Sequence, residues 1–145
     1  MRLTWLTSLI FTSAIVLLAS FLPWASLQPL EPNNIALPIT PRPFLGVAFG
    51  VFTNQTLTVT AWQGKFLLGI YAIPNWVVVL SALCIPFLVN KPTIGIIIAI
   101  FSLIHLVIFT VVIYLAGARF GIGYITTIVT YIIIIILLVK RLGYR

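Results

Sequence analysis

The chain predicts a membrane all-α fold: a four-transmembrane-helix bundle with a small extracytoplasmic antiparallel β-meander between helices 1 and 2. Three observations lead there. Of the 145 residues 62% are hydrophobic and only 6% charged, whereas soluble domains carry roughly a quarter of charged residues. Four apolar runs, Leu3 to Trp24, Pro74 to Val89, Thr93 to Ala116 and Gly121 to Val139, each approach the ~20 residues that cross ~30 Å of hydrocarbon. The stretch between the first two runs, Ala25 to Ile73, is long enough to hold a sheet of its own. Residues 1–145 read as a single membrane domain.

The first run follows Arg2, and Ala19-Ser20 or Ala25-Ser26 imitates the small-residue cleavage site of a signal peptide. Its apolar core is far longer than a signal core and ends in the bulky Phe21-Leu22-Pro23-Trp24, so a retained anchor is expected. The second run is the shortest and calls for little tilt or a locally thinned bilayer.

The outer segment has two parts. Gln28 to Pro43 holds Pro29, Pro32, Pro38, Pro41 and Pro43, which exclude regular helix and interior strand, because proline lacks the N–H and fixes φ. From Phe44 to Tyr71 the chain reads as strands over Phe44–Thr53, Thr56–Trp62 and Phe66–Ile70, with turns at Asn54-Gln55 and Gln63-Gly64-Lys65. Thr56, Thr58 and Thr60 alternate with Leu57, Val59 and Ala61, the period of a sheet covered on one face. Asn54-Gln55-Thr56 also fits a glycosylation acceptor and is read as a turn. Phe44, Phe49, Phe52, Trp62 and Phe66 give this element more apolar surface than a small sheet exposes. They form either an interaction surface or a cap on the helices.

The joins between the later runs are short. Asn90 suits a helix end and Pro92 a helix first turn, so the second and third runs form an antiparallel hairpin that the turn Gly117–Gly123 extends to the fourth. Gly95, Ala99 and Ser102 share one face of the third helix and invite close approach by another. The fourth, with Ile132 to Ile136 in succession, is apolar all round and is expected against lipid. Trp24, Trp76, Tyr114 and Tyr124 are expected in the outer aromatic belt, Trp5 and Tyr144 in the inner one.

Eight basic residues face one acidic residue, for a net charge of +7. They stand singly apart from Lys140-Arg141, which argues against nucleic acid as a partner and for membrane topology. A cytoplasmic N terminus puts Arg2, Lys91, Lys140, Arg141 and Arg145 inside and Arg42, Lys65 and Arg119 outside. That is the positive-inside bias, with both termini cytoplasmic.

Chemistry-bearing residues are few. Glu31 is the only carboxylate side chain, so no acid–base pair or divalent-cation site assembles from carboxylates. Cys84 is the only cysteine, which excludes an internal disulfide and suggests packing as a small hydrophobe. His105, near the middle of the third run with Ser102 one turn before it, needs a polar partner there. It either ligates a haem or a chlorophyll-type pigment or makes a structural hydrogen bond to a neighbouring helix. No metal cluster or nucleophile motif is present, and an enzyme is not expected.

Thr60-Ala-Trp-Gln-Gly-Lys-Phe-Leu-Leu-Gly-Ile-Tyr-Ala-Ile-Pro-Asn-Trp76 resembles the corresponding segment of small uncharacterised bacterial four-span membrane proteins. That resemblance covers about an eighth of the chain and implies no activity. The order of one span, an outer sheet and three close spans is similar to the claudins, but the claudin motif with its paired cysteines is missing. The expected role is a non-catalytic accessory or scaffolding subunit of a larger complex in a bacterial inner or photosynthetic membrane. It would dock through the Gly95, Ala99 and Ser102 face and the outer sheet, with lipid and larger membrane subunits as partners. The alternatives are a pigment- or haem-binding subunit using His105 and a small lipid or solute transporter.

Overall fold

The computed structural model describes residues 2–27, 47–48, 51–53, 56–68, 71–115 and 117–143, with side chains over 4–26, 58–65, 72–115 and 117–143. In chain order the elements are α1 (Arg2–Ala19), β1 (Ala25–Leu27), β2 (Val47–Ala48), β3 (Val51–Thr53), β4 (Thr56–Val59), β5 (Lys65–Leu68) and β6 (Tyr71–Pro74). Then follow α2 (Trp76–Cys84), running into a 3-10 turn (Ile85–Leu88), α3 (Pro92–Leu115), β7 (Arg119–Phe120) and α4 (Ile122–Gly143). The fold is thus mostly helical with small antiparallel sheets. α3 and α4, of 24 and 22 residues with mean hydropathy 3.0 and 2.6, are long and apolar enough to cross a membrane.

Helix ends follow local chemistry. α1 stops at Ala19, short of the expected Trp24, because its last turn tightens: Phe21 and Leu22 donate to Leu18 and Ala19, three residues back, at 3.2 Å. The Ser20 hydroxyl also donates to Leu17 O at 2.6 Å. Pro86 has no N–H to continue the α ladder, and α2 tightens into its 3-10 turn there. Pro92 opens α3, where a missing donor is harmless. α3 closes in a Schellman motif: Gly117, at φ +67, donates to Tyr114 O and Ala118 to Ile113 O, both at 3.0 Å.

The strands do not make one meander between the first two helices. Among the described residues they form two sheets, ordered β3-β4-β1-β7 and β2-β5-β6. β3 and β4 pair with Thr53 opposite Thr56; the turn expected at Asn54-Gln55 lies outside the described residues. β4, however, turns its other edge to β1, with Ala25 opposite Val59, instead of to β5. The other edge of β1 takes β7, from the segment between α3 and α4, with Ser26 opposite Arg119. β5 pairs with β2 and β6. The physical cause is the early end of α1, which frees residues 20–27 to lie against β4: Trp24 N–H donates to Val59 O at 2.7 Å and Ala61 N–H to Ser20 O at 3.3 Å.

α4 packs on α1 and α3, and both of those pack on α2. The expected lipid-facing α4 is therefore a central packing element. Gly123, Tyr124, Thr127, Thr130, Tyr131, Ile134 and Leu138 form a buried stripe at spacings of three and four, while Ile132, Ile133 and Ile136 are exposed. Its threonines reach the interior at little cost because each hydroxyl donates one turn back, Thr127 to Gly123 O at 2.8 Å and Thr130 to Thr126 O at 2.7 Å.

The expected outer aromatic belt also needs correcting. Trp24 and Tyr124 are 0% and 2% exposed, and with Phe109 they make a three-ring core with centroids 5.7 to 6.0 Å apart. Their polar atoms end on backbone: Trp24 Nε1 donates to Ala19 O at 3.2 Å and Tyr124 Oη to Leu106 O at 2.6 Å. Trp76 and Tyr114 are exposed and Trp5 half-buried; Tyr144 lies outside the described residues. Cys84, expected to pack inside, is exposed at the end of α2.

Candidate functional site

The polar centre of the helices is the pair His105 and Asn75. Asn75 precedes α2, where its residue type suits an N-cap, yet its side chain makes no capping bond. Instead Oδ1 lies 3.2 Å from His105 Nε2, and with the proton on Nε2 the imidazole donates across from α3. Asn75 is fully buried and fixed by its backbone, its N–H donating to Gly64 O at 2.9 Å. Among the described residues its Nδ2 has no hydrogen-bond partner. Gly64 makes room for this amide, since a Cβ there would stand 2.6 Å from Nδ2 and from Val59 Cγ1.

Beside the pair, a cleft of about 250 Å³ opens between α2 and α3, lined by Val77, Val78, Ser81, Ile98, Phe101, Ser102 and His105. Its two hydroxyls point back along their own helices, Ser81 to Val77 O at 2.8 Å and Ser102 to Ile98 O at 3.0 Å. Further polar ties cross between helices: Ser13 Oγ donates to Ala82 O at 2.6 Å and Tyr131 Oη to Val78 O at 2.5 Å. Thr110 Oγ1 and Tyr124 Oη also meet. Ser13, Ser81, Ser102 and Tyr131 thus end on backbone carbonyls of their own or a neighbouring helix.

The residues singled out in the sequence are distributed as follows. His105 and Ser102 line the cleft together. Gly95, Ala99 and Ser102 are all buried on α3; at Gly95 an added Cβ would meet Leu138 of α4 at 3.2 Å. Trp62 is 40% exposed, tied by Nε1 to Ser20 Oγ at 2.7 Å and tilted against Phe21. Phe52 and Phe66 stand in β3 and β5, and their side chains lie outside the described residues, as do Phe44, Phe49 and Glu31 altogether. Neither Asn75 nor Tyr131 stood out in the sequence, and Tyr124 was expected only in the outer aromatic belt. Asn75 carried a usable signal, a capping residue type directly before an apolar run, and Thr127, Thr130 and Tyr131 carried another, polar groups at helical spacing inside a span.

Among the described residues no three His, Cys, Asp or Glu side chains come together as a metal site. His105 is the one imidazole in the chain, and a metal on Nε2 would have to displace Asn75 Oδ1. No family model matches the chain, and no curated protein or solved structure matches it either.

Proposed function

We propose that the chain is an integral membrane protein with four spans and cytoplasmic termini. On this reading it serves as a non-catalytic accessory subunit that holds an outer sheet rigidly against its helices within a larger membrane complex. The observation that carries membrane residence is the outward face of α3. Ile94, Ile97, Ile100, Phe101, Ile104, Val107, Val111 and Tyr114 recur at steps of three and four and are 43% to 77% exposed over a helix only one-third buried. A buried core helix of a soluble protein would not leave such a stripe uncovered; in hydrocarbon it needs no cover. α1 and α2 complete the four spans on this reading, with α2 and its 3-10 turn accommodated by local thinning.

The accessory role is supported by the inventory of groups. The helices contain no carboxylate, and His105 is engaged with Asn75, so the parts of an acid–base or nucleophilic centre are not in reach of one another. The interlocked end of the molecule, where β1 joins β4 and β7, supports a platform for a partner. On this reading the membrane is a bacterial inner or photosynthetic one, its bacterial origin resting on the resemblance over Thr60–Trp76. Affinity purification from native membranes in mild detergent tests the reading. A larger membrane subunit should co-purify in fixed ratio, and a chain recovered alone would count against it.

A further inference from the structure

We propose that the end of the molecule where α4 finishes and α3 begins holds the phosphodiester of an anionic phospholipid, gripped by Arg141 and flanked by Lys91 and Lys140. The inference rests on the membrane reading above. α3 and α4 are antiparallel, and Gly95 lies against Leu138. Lys91 is four residues before Gly95 and Arg141 three after Leu138, so at ~1.5 Å per residue both stand about one turn beyond that contact, at the same level. Lys140 is adjacent, and both Lys91 and Lys140 are exposed. Arg2 opens α1 at this same end, because the other end of α1 abuts α4 where a Cβ on Gly123 would meet Ala19 O at 2.5 Å.

No counter-charge comes from the helices, since the only acidic side chain of the chain is Glu31. Arg141 carries the second observation. It is half-buried, and among the described residues its Nε is sealed from solvent without a hydrogen-bond partner. A cation with an unmet buried donor is unfavourable. The side-on bidentate pair with a phosphate uses Nε and one Nη, so turning the guanidinium toward a headgroup supplies the acceptor that Nε lacks. A lipid is favoured over a soluble anion because exposed apolar side chains border the cluster on both helices: Ile94 at 43%, Val139 at 51% and Leu142 at 42%. The matching ligand has an anionic head and apolar chains.

The test is native mass spectrometry of the full chain released from nanodiscs containing phosphatidylglycerol and phosphatidylcholine with identical acyl chains. Wild type should retain phosphatidylglycerol preferentially. Arg141→Gln should lower that preference about fivefold, the equivalent of ~1 kcal/mol per basic residue, and Arg141→Lys should fall between. Arg119→Gln, at the opposite end, should leave it unchanged. Lys91→Gln gives an independent reading should an Arg141 variant misfold. Equal retention of the two lipids by wild type, or equal effects of Arg141→Gln and Arg119→Gln, overturns the proposal while leaving the membrane reading intact. Release of the lipid by millimolar inorganic phosphate overturns the choice of a headgroup over a soluble anion. A chain that does not enter nanodiscs overturns both readings.

Discussion

Gly121 lies so close to Pro23 that a Cβ placed on it would stand 2.0 Å from the Pro23 carbonyl oxygen. The contact is a seam: Gly121 N–H donates to Trp24 O at 2.9 Å and Gly123 N–H to Pro23 O at 3.0 Å. The start of α4 is thereby fastened to the stretch after α1, and β7 is delivered to the edge of β1. Because the obstructing atoms are backbone, side-chain rearrangement cannot relieve the clash.

Alanine substitutions at three glycines should therefore separate by mechanism. Gly121→Ala forces the seam apart and should cost about 3 kcal/mol or more, at or above the upper end for overpacking. Gly117→Ala meets nothing within 4 Å among the described residues but inherits φ +67, for about 1–2 kcal/mol. Gly143→Ala meets nothing within 4 Å among the described residues and has no such φ, so it should be neutral or slightly stabilising. Thermal unfolding in detergent, followed by size-exclusion recovery, gives the ranking; a Gly121→Ala protein as stable as Gly143→Ala would remove the seam.

The tryptophans offer an optical check on the core. Trp24 is fully enclosed, whereas Trp62 and Trp76 are 40% and 38% exposed. A variant keeping only Trp24 should emit at the shortest wavelength and resist both acrylamide and lipid-borne quenchers. Variants keeping only Trp62 or Trp76 should be quenched by one or the other. Trp24→Ala should lose about 3–5 kcal/mol, as removal of a buried indole requires, while Trp62→Ala should lose about 1 kcal/mol with its single bond to Ser20.

What the sequence made legible, and what it hid, follows from how each signal arises. α3 begins and ends within a residue of its apolar run, because length and hydropathy are local and Pro92 and Gly117 punctuate it. The β4 pattern is equally local, and that strand is present. Its neighbours were not legible: β1 and β7 are three and two residues long, too short to show a period, and their pairing depends on how α3 and α4 sit against the stretch after α1. Hydropathy misassigned Trp24 and Tyr124, since an indole or phenol bonded to backbone suits a core as well as a bilayer interface. On α4 the isoleucine run masked the threonine and tyrosine face that packs inward. For the candidate site, the need of His105 for a partner was readable, but Asn75 as that partner depends on how α2 sits beside α3.

The His105–Asn75 pair makes a quantitative prediction. His105→Ala and Asn75→Ala should each destabilise, and the double variant should be less damaged than the sum by about 0.5–1.5 kcal/mol, the coupling of one hydrogen bond. Asn75→Ala retains the backbone bonds to Gly64 and from Val78, so α2 should still form. Additive losses would mean that the two side chains do not interact. A visible absorption band in the purified protein that vanishes in His105→Ala would instead revive pigment or haem ligation.

The four-span reading can be tested by labelling from one side. Cys84 is the only cysteine, so Cys84→Ala gives a clean background for single cysteines at the exposed positions Thr4, Arg119 and Gly143. α1 is antiparallel to α4 and α4 to α3, which puts positions 4 and 143 at one end and Arg119 at the other. With cytoplasmic termini, an impermeant maleimide added to intact cells should label Arg119→Cys alone, and permeabilisation should expose Thr4→Cys and Gly143→Cys together. Labelling of Thr4→Cys but not Gly143→Cys on intact cells would leave an odd number of crossings, which four spans cannot give. The reverse pattern, with both ends labelled and Arg119→Cys protected, would keep an even number of crossings but invert the molecule. Such an inversion would contradict the positive-inside bias that Lys91, Lys140 and Arg141 create at a single end.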